Sequence, residues 1–223
     1  MRPFVALAVA SLALGACQQP AYAGEAPVNA PAAKRVAKES AGLKTAVFAG
    51  GCFWGVEGVF SHVKGVKRAV SGYHGGTERS AEYRTVSSGG TGHAEAVRVT
   101  YDPKVVRYDQ LLRIYFSVVA DPTLKDRQGP DVGTQYRTAI VPLSAEQRAV
   151  AAAYIAQLDM SGLWDKPIVT RIERAQGFFP AEAYHQDYME KNPRNPYIAR
   201  WDAPKLKALK GMYPAYYSAT PAD

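Results

Sequence analysis

The sequence predicts an α+β fold whose core is a ferredoxin-like split βαβ sandwich, and three observations support this prediction. Strand and helix patterns follow one another in the order strand, helix, strand, strand, helix, strand, as in a split βαβ motif. The composition, 47% hydrophobic and 21% charged, is that of a globular chain. Two long polar stretches, 77–92 and 121–134, interrupt the pattern, and loops of such length are usually functional. We therefore expect one domain with long active-site loops and extra C-terminal helices.

The individual elements follow from hydrophobic periodicity and capping signals. Apolar or alternating runs predict strands at 45–49, 66–73, 93–101, 136–141 and 168–173. Helical spacing predicts helices after Cys52, at 108–119, from the capping box Ser144-x-x-Gln147 to about Asp159, and at 181–190. Apolar residues between Trp201 and Tyr213 predict that the C-terminal part packs back on the body.

The N-terminus has the features of an export signal. A short basic start precedes Phe4–Ala16, an apolar stretch too short to span a bilayer. Residues 1–16 resemble a lipoprotein-type signal peptide, because Leu14–Cys17 resembles a lipobox. This resemblance implies lipidation of Cys17 and, since Gln18 follows, a periplasmic protein anchored to the outer membrane. The alternative is cleavage after Ala23, which would release a soluble periplasmic protein.

Composition sets the remaining boundaries. Residues 17–42 are rich in Ala and Pro, which predicts a flexible tether. We expect the folded domain to comprise residues 43–216 and the last residues, 217–223, to form a disordered tail. The formal net charge is +7, but we find no cluster of basic residues interleaved with aromatic ones. The three lysines of Lys205–Lys210 fit a solvated helix face. We expect no nucleic-acid partner, contact with the membrane through the lipid anchor only, and a monomer.

Cys52 is the principal candidate for chemistry. It follows Gly50-Gly51 at the junction between a strand and a helix, so it lies where unpaired backbone N–H groups and the helix dipole lower the pKa of a thiol. Because Cys17 belongs to the export signal, Cys52 is the one cysteine left in the folded body. The alternative interpretation is a structural cysteine buried in the core.

Glu95 is the candidate acid. In a strand over 93–101, Glu95 shares one face with the apolar side chains of Val97, Val99 and Tyr101. Desolvation there would raise the pKa of the carboxyl and keep it protonated, as a proton donor requires. The alternative is an ordinary solvated glutamate at the end of the strand.

Four stretches, in order along the chain, resemble the A-type peptide methionine sulfoxide reductases. They are Gly50-Gly51-Cys52-Phe53-Trp54-Gly55-Val56-Glu57, Ser88-Gly89-Gly90-Thr91-Gly92-His93-Ala94-Glu95-Ala96-Val97, Gln128-Gly129-Pro130-Asp131-Val132-Gly133-Thr134-Gln135-Tyr136-Arg137 and Ala181-Glu182-Ala183-Tyr184-His185-Gln186-Asp187-Tyr188. The similarity extends over about 44–213, which makes the predicted domain a reductase domain.

This resemblance implies reduction of the S epimer of methionine sulfoxide, free or in oxidised proteins. Cys52 would attack the sulfoxide sulfur, and Glu95 would act as the acid with the hydroxyls of Tyr83 and Tyr136. A sulfoxide oxygen leaves poorly unless it is protonated, so these residue types suit the reaction. The products would be methionine and a sulfenic acid on Cys52.

The resemblance also implies a substrate pocket. Phe53 and Trp54 would form the apolar wall for the methyl group, and Asp131 would orient polar groups. Many relatives resolve the sulfenic acid with C-terminal cysteines, but no cysteine follows Cys52 here. We therefore predict a single-cysteine enzyme without metal or cofactor, which depends on an external, thioredoxin-like thiol.

Four other interpretations start from the same residues. A cysteine hydrolase would pair Cys52 with His93 or His185, but the sequence indicates no oxyanion hole. A redox sensor or thiol peroxidase needs a reactive thiol but neither the aromatic pair nor a neutral glutamate. A metal site lacks histidines at ligand spacing. A membrane-tethered binding module would need no chemistry at Cys52.

Overall fold

The computed structural model describes residues 26–222, so the predicted signal peptide and Cys17 lie outside the described residues. Its centre is a six-stranded sheet in the order β7 (171–172), β6 (138–141), β1 (44–50), β3 (94–101), β2 (66–74) and β8 (178–180). The inner order β6-β1-β3-β2, with antiparallel pairing throughout, is that of a ferredoxin-like sandwich. The predicted fold class is therefore confirmed.

The strands differ in length between the centre and the edges of the sheet. They are β1 Lys44–Gly50, β2 Val66–His74, β3 Ala94–Tyr101, β6 Thr138–Val141, β7 Arg171–Ile172 and β8 Phe178–Pro180, with a separate ladder of β4 Arg127–Gln128 and β5 Asp131–Val132. The short edge strands β7 and β8 flank the four-stranded core, and β7 runs parallel to β6. The predicted strand 168–173 is thus present only in its last part.

Among residues 26–222, six α-helices accompany the sheet, and two of them are continuous with a π-helical turn. They are α1 Phe53–Ser61, α2 Tyr83–Ser87, α3 Tyr108–Ile114, α4 Ala145–Asp159, α5 Tyr188–Lys191 and α6 Ala203–Met212; the π turns are Tyr115–Val119 and Ile198–Asp202. The Ser144 side chain accepts a hydrogen bond from the Gln147 backbone N–H, which confirms the predicted start of α4. The predicted helix 181–190 is instead a 3₁₀ turn, Ala183–His185, followed by α5.

One face of the sheet carries the main core. Phe48 of β1 stacks on Phe60 of α1 with ring centroids 4.8 Å apart, and the buried side chains of Val97 and Val99 in β3 belong to the same cluster. The opposite face buries small side chains, among them Ala49 and Ala96. The site residue Glu95 belongs to the strand that lies between β1 and β2. Within the described part of the chain, no helix is both long and apolar enough to cross a bilayer.

The described part of the predicted tether, residues 26–42, does not hang free. Ala30 is fully buried, and the Ala37 backbone N–H donates to Asp109. Glu39 accepts hydrogen bonds from the Tyr101 hydroxyl and the Tyr108 backbone N–H. The prediction of a flexible linker up to residue 42 is therefore wrong for this part, because composition did not reveal the partners.

The predicted disordered tail is ordered as well. Tyr217 forms an isolated bridge with Val63, and the backbone N–H groups of Ser218 and Ala222 donate to the carbonyls of His62 and Ser61. The tail therefore caps the C-terminal end of α1, and the domain boundary at residue 216 needs correction up to Ala222.

Substitution of Glu39 tests whether the N-terminal segment contributes to stability. In Glu39→Ala the partly buried Tyr101 hydroxyl and Tyr108 N–H lose their acceptor, so we expect the free energy of unfolding to fall by about 1–3 kcal/mol. Urea denaturation measures this loss. Glu78→Ala, at an exposed glutamate, should change it by less than about 0.5 kcal/mol. Equal free energies of unfolding for both variants would show that the N-terminal segment does not contribute to stability.

Candidate active site

A glycine turn places Cys52 at the N-terminus of α1. Gly51 has a φ of +84°, and a Cβ there would collide with the Gln128 side chain, so the turn requires glycine on both grounds. Cys52 is the N-cap residue of α1, and the nearby Trp54 backbone N–H favours the thiolate form of its side chain. The thiol is 8% exposed and is the one free cysteine among residues 26–222. Cys52 thus lies at the junction between a strand and a helix, as predicted.

The electrostatic consequence is the reverse of the predicted one. Burial raises the pKa of the Cys52 thiol well above its ordinary value, and the nearby carboxyls of Glu95, Asp202 and Asp131 act in the same direction. The Trp54 N–H lowers the pKa but is outweighed. Our prediction of a lowered thiol pKa is therefore wrong for this arrangement, because it considered the helix terminus without the burial and the acidic surroundings.

Glu95 lies on the predicted face of β3, beside the helix terminus. Its side chain is 2% exposed, and its Oε2 accepts a hydrogen bond of 3.0 Å from the backbone N–H of Phe53, the residue after Cys52. Burial raises the pKa of the Glu95 carboxyl to about 8, with a smaller contribution from Asp131. The carboxyl is therefore mostly protonated at neutral pH, as the strand pattern predicts, and the solvated alternative is excluded.

Two tyrosines complete the polar side of the site. Tyr83 begins α2, inside the stretch predicted as a loop, and Tyr136 ends the 3₁₀ turn Thr134–Tyr136. Both are half-buried and interact electrostatically with Glu95 and Cys52. Burial raises the pKa of each phenol, so both hydroxyls stay protonated and available as donors.

The aromatic residues after Cys52 are held by a second layer of rings. Phe53 is fully buried, whereas Trp54 is half-buried and stacks on Tyr188 with centroids 3.9 Å apart. The Trp54 indole N–H donates to His185 Nδ1 at 3.0 Å. Tyr188 and His185 were not predicted as supports of Trp54, although both lie in the last of the four similar stretches.

Asp131 closes the other side of the site. It lies in β5, and its carboxylate accepts a hydrogen bond of 2.5 Å from the Tyr197 hydroxyl. Burial raises the pKa of Asp131, and Tyr197 offsets part of this rise. Cys52, Asp131 and Tyr197 all line a cavity of about 170 Å³. Tyr197 was not predicted as a site residue, because one tyrosine among 14 carries no positional signal.

The histidines that a cysteine hydrolase would need are engaged elsewhere. His185 Nδ1 accepts from Trp54, and His93 contacts the Gly76 N–H and the Thr77 carbonyl. Burial lowers the pKa of both imidazoles, so neither favours an imidazolium partner for Cys52. Among residues 26–222, no group of three or more His, Cys, Asp or Glu side chains is arranged to hold a metal ion.

Fold and site together define a class of protein. An α+β domain that holds one cysteine against a neutral carboxylic acid, two protonated phenols and an aromatic pair has the parts of a thiol enzyme that protonates the group it attacks.

Similarity to known proteins identifies the family. The family model for peptide methionine sulfoxide reductase matches residues 44–215, which is most of the chain. The chain therefore belongs to the peptide methionine sulfoxide reductases, and the resemblance seen in the sequence is confirmed. Its similar relatives carry the A-type name, and the members of this family reduce methionine sulfoxide and repair oxidised proteins.

Individual relatives cover nearly the whole domain. Peptide methionine sulfoxide reductase MsrA 2 of Mesorhizobium japonicum is 55% identical over 82% of this chain and 94% of its own. The protein of the same name from Synechocystis is 49% identical over 80% of this chain and 83% of its own. Among solved structures, reduced Mxr1 of Saccharomyces cerevisiae has a TM-score of 0.59 and 32% identity, covering 73% of this chain and 92% of its own.

The raised pKa of Glu95 makes the stability of the protein depend on pH. A carboxyl whose pKa rises from 4.5 to about 8 on folding stabilises the fold below pH 4.5, and this stabilisation is lost as the pH rises to about 8. We expect the decline in unfolding free energy between pH 5 and 9 to be smaller in Glu95→Gln than in the unmodified protein, by on the order of 3 kcal/mol.

Urea denaturation at several pH values measures this difference. Glu57 and Asp202, whose carboxyl pKa values are also raised by burial, titrate in both proteins and cancel in the comparison. Parallel pH profiles for the two proteins would contradict a neutral buried Glu95.

Proposed function

We propose that the chain reduces methionine S-sulfoxide, free or in oxidised proteins, through a sulfenic acid on Cys52 that an external thiol resolves. The observation that carries this proposal is the hydrogen bond from the Phe53 N–H to Glu95. It holds a protonated acid next to the nucleophile, so that one substrate sulfoxide group can meet both.

The groups around Cys52 supply the protons for the reaction. Glu95 donates a proton to the sulfoxide oxygen, and Tyr83 and Tyr136 donate hydrogen bonds to it as charge develops there. The Cys52 sulfur bonds to the substrate sulfur, its own proton passing to the Glu95 carboxylate. The substrate S–O bond and the S–S bond then break as the oxygen becomes bonded to the Cys52 sulfur. In sum, one thiol and one sulfoxide become one sulfenic acid and one thioether.

The pocket favours the methyl side of the substrate. The indole of Trp54, fixed by Tyr188 and His185, offers a rigid apolar surface next to the nucleophile. Asp131, bonded to Tyr197, offers a polar surface in the cavity that Cys52 also lines. One apolar and one polar wall on either side of a chiral sulfur give a physical basis for preference of one epimer.

Recycling needs a thiol from outside the chain. An incoming thiol attacks the sulfenic acid and forms a mixed disulfide with release of water, and a second thiol releases Cys52. Cys52 is the one cysteine in the described region, and Cys17 lies far upstream in the sequence. We propose a thioredoxin-like protein as the physiological reductant.

Turnover with both epimers of methionine sulfoxide and dithiothreitol tests the proposal. We expect methionine from the S epimer only, no product from Cys52→Ser, and a loss in kcat of about 10²-fold or more in Glu95→Gln. Without a thiol, the protein should form one methionine per chain and gain one oxygen atom on Cys52, as measured by intact mass.

Glu57→Gln is the matched control, because Glu57 is also a buried glutamate and belongs to the same helix as Phe53. It should keep nearly full activity, since Gln can still accept from the Asp187 N–H. An equal loss in both variants would mean that Glu95 acts only through stability.

We also propose export and lipidation at Cys17, with the domain held at the outer membrane in the periplasm. The support is the order of basic start, apolar stretch and Leu14–Cys17 in the sequence. Labelling of cells with a fatty-acid analogue should mark the full chain in the membrane fraction, and Cys17→Ser should abolish the label. Unlabelled protein in the periplasmic extract would instead indicate cleavage after Ala23.

A further inference from the structure

Asp202 is a buried acid that the reaction above does not use. It ends the π turn Ile198–Asp202, is fully buried, and neither of its carboxylate oxygens accepts a hydrogen bond from the residues that the structure describes. Lys205 Nζ lies 3.7 Å from Oδ1, at the distance of an ion pair. A buried carboxylate with so little compensation is costly and therefore calls for a role.

The position of Asp202 points to Cys52. A Cβ on Gly55 would collide with the Asp202 carboxylate, so this carboxylate lies against the first turn of α1, three residues after Cys52. Trp201 and Lys205 line the cavity that Cys52 also lines, whereas the fully buried Asp202 lies behind it. Asp202 thus contacts the helix that carries the nucleophile without reaching the substrate space.

We propose that Asp202 is a positioning residue whose charge, partly neutralised by Lys205, adds to burial in holding Cys52 in its thiol form and so protects the resting site from peroxides. The inference deepens the proposed function, since it assumes that Cys52 is the nucleophile. It assigns to Asp202 a share in the discrimination between methionine sulfoxide and a competing class of oxidant.

The chemistry of the competing reaction explains the benefit. A thiolate attacks one oxygen of a peroxide, the O–O bond breaks, and the products are a sulfenic acid and hydroxide or an alkoxide. A protonated thiol reacts far more slowly. With a sulfoxide bound, Glu95 can take the thiol proton after it has donated its own, so the thiol form does not block the reductase reaction.

Several groups surround the thiol, and the test must separate Asp202 from them. The charged or titratable neighbours of Cys52 and Asp202 are Glu95, Asp131, Lys205, Tyr83, Tyr136 and Tyr197. Glu95 and Asp131 raise the pKa of the thiol as Asp202 does, and the pKa of Asp202 itself, raised by burial to about 6, leaves it ionised above neutral pH. Removing Asp202 alone therefore removes one negative charge.

Alkylation of Cys52 by iodoacetamide between pH 6 and 10, followed by intact mass without any sulfoxide, is the first measurement. We expect Asp202→Asn to react about three- to tenfold faster than the unmodified chain at pH 8, because a neighbouring like charge has been removed. Its rate of sulfenic acid formation with hydrogen peroxide, trapped with dimedone, should rise by the same factor. Asp165→Asn, the same change at an exposed aspartate, should match the unmodified chain.

The outcomes are decisive in both directions. If folded Asp202→Asn, checked by circular dichroism, has the alkylation and peroxide profiles of the unmodified chain, the proposal is overturned. If that variant does not fold, Lys205→Met decides, since Lys205 is partly exposed. It should slow alkylation several-fold at pH 9 by leaving Asp202 uncompensated, and an unchanged rate overturns the proposal. A chain that alkylates as expected but forms no methionine would overturn the reductase mechanism instead.

Discussion

The hydrogen bond between the Phe53 N–H and the Glu95 carboxyl is the constraint on which the site depends. It joins the first turn of α1 to the β3 strand, which lies between β1 and β2 at the centre of the sheet. Any shift of the helix along the sheet would break it and would separate the acid from the thiol. Because β1 leads directly into Cys52 through Gly51, the register of β1 against β3 fixes both partners at once.

Burial determines the protonation of the two side chains that this hydrogen bond brings together. The same desolvation that keeps Glu95 protonated also keeps Cys52 protonated, so the resting site holds two protons on two neighbouring groups. A helix terminus alone would have favoured a thiolate. The site therefore differs from that of a general thiol nucleophile. It suits a substrate with an oxygen atom that must be protonated when the thiol attacks.

The sequence was sufficient for the parts of the structure that depend on local pattern. The order of elements, the cap of α4 by Ser144, and the face shared by Glu95 and Val97 all follow from periodicity and spacing. Contacts between distant segments did not follow. The burial of Ala30 and the bonds of Glu39 depend on partners some 60 or more residues away, which composition does not reveal. The error about the thiol pKa has the same origin, since the pKa is raised mainly by burial and then by the carboxyls of Glu95 and Asp202, which lie 43 and 150 positions beyond Cys52.

The C-terminal segment shows how such distant contacts shape the site. His185 and Tyr188 fix the indole of Trp54, Tyr197 binds Asp131, and Asp202 packs on Gly55. Four side chains from one stretch of about 20 residues thus contact the wall, the polar side and the helix terminus of the site. A segment that supplies no cysteine nevertheless encloses the only thiol of the described chain. Its contribution is to support the aromatic wall and to set charges around Cys52, and in the proposed mechanism the disulfide chemistry is left to a thiol from outside the chain.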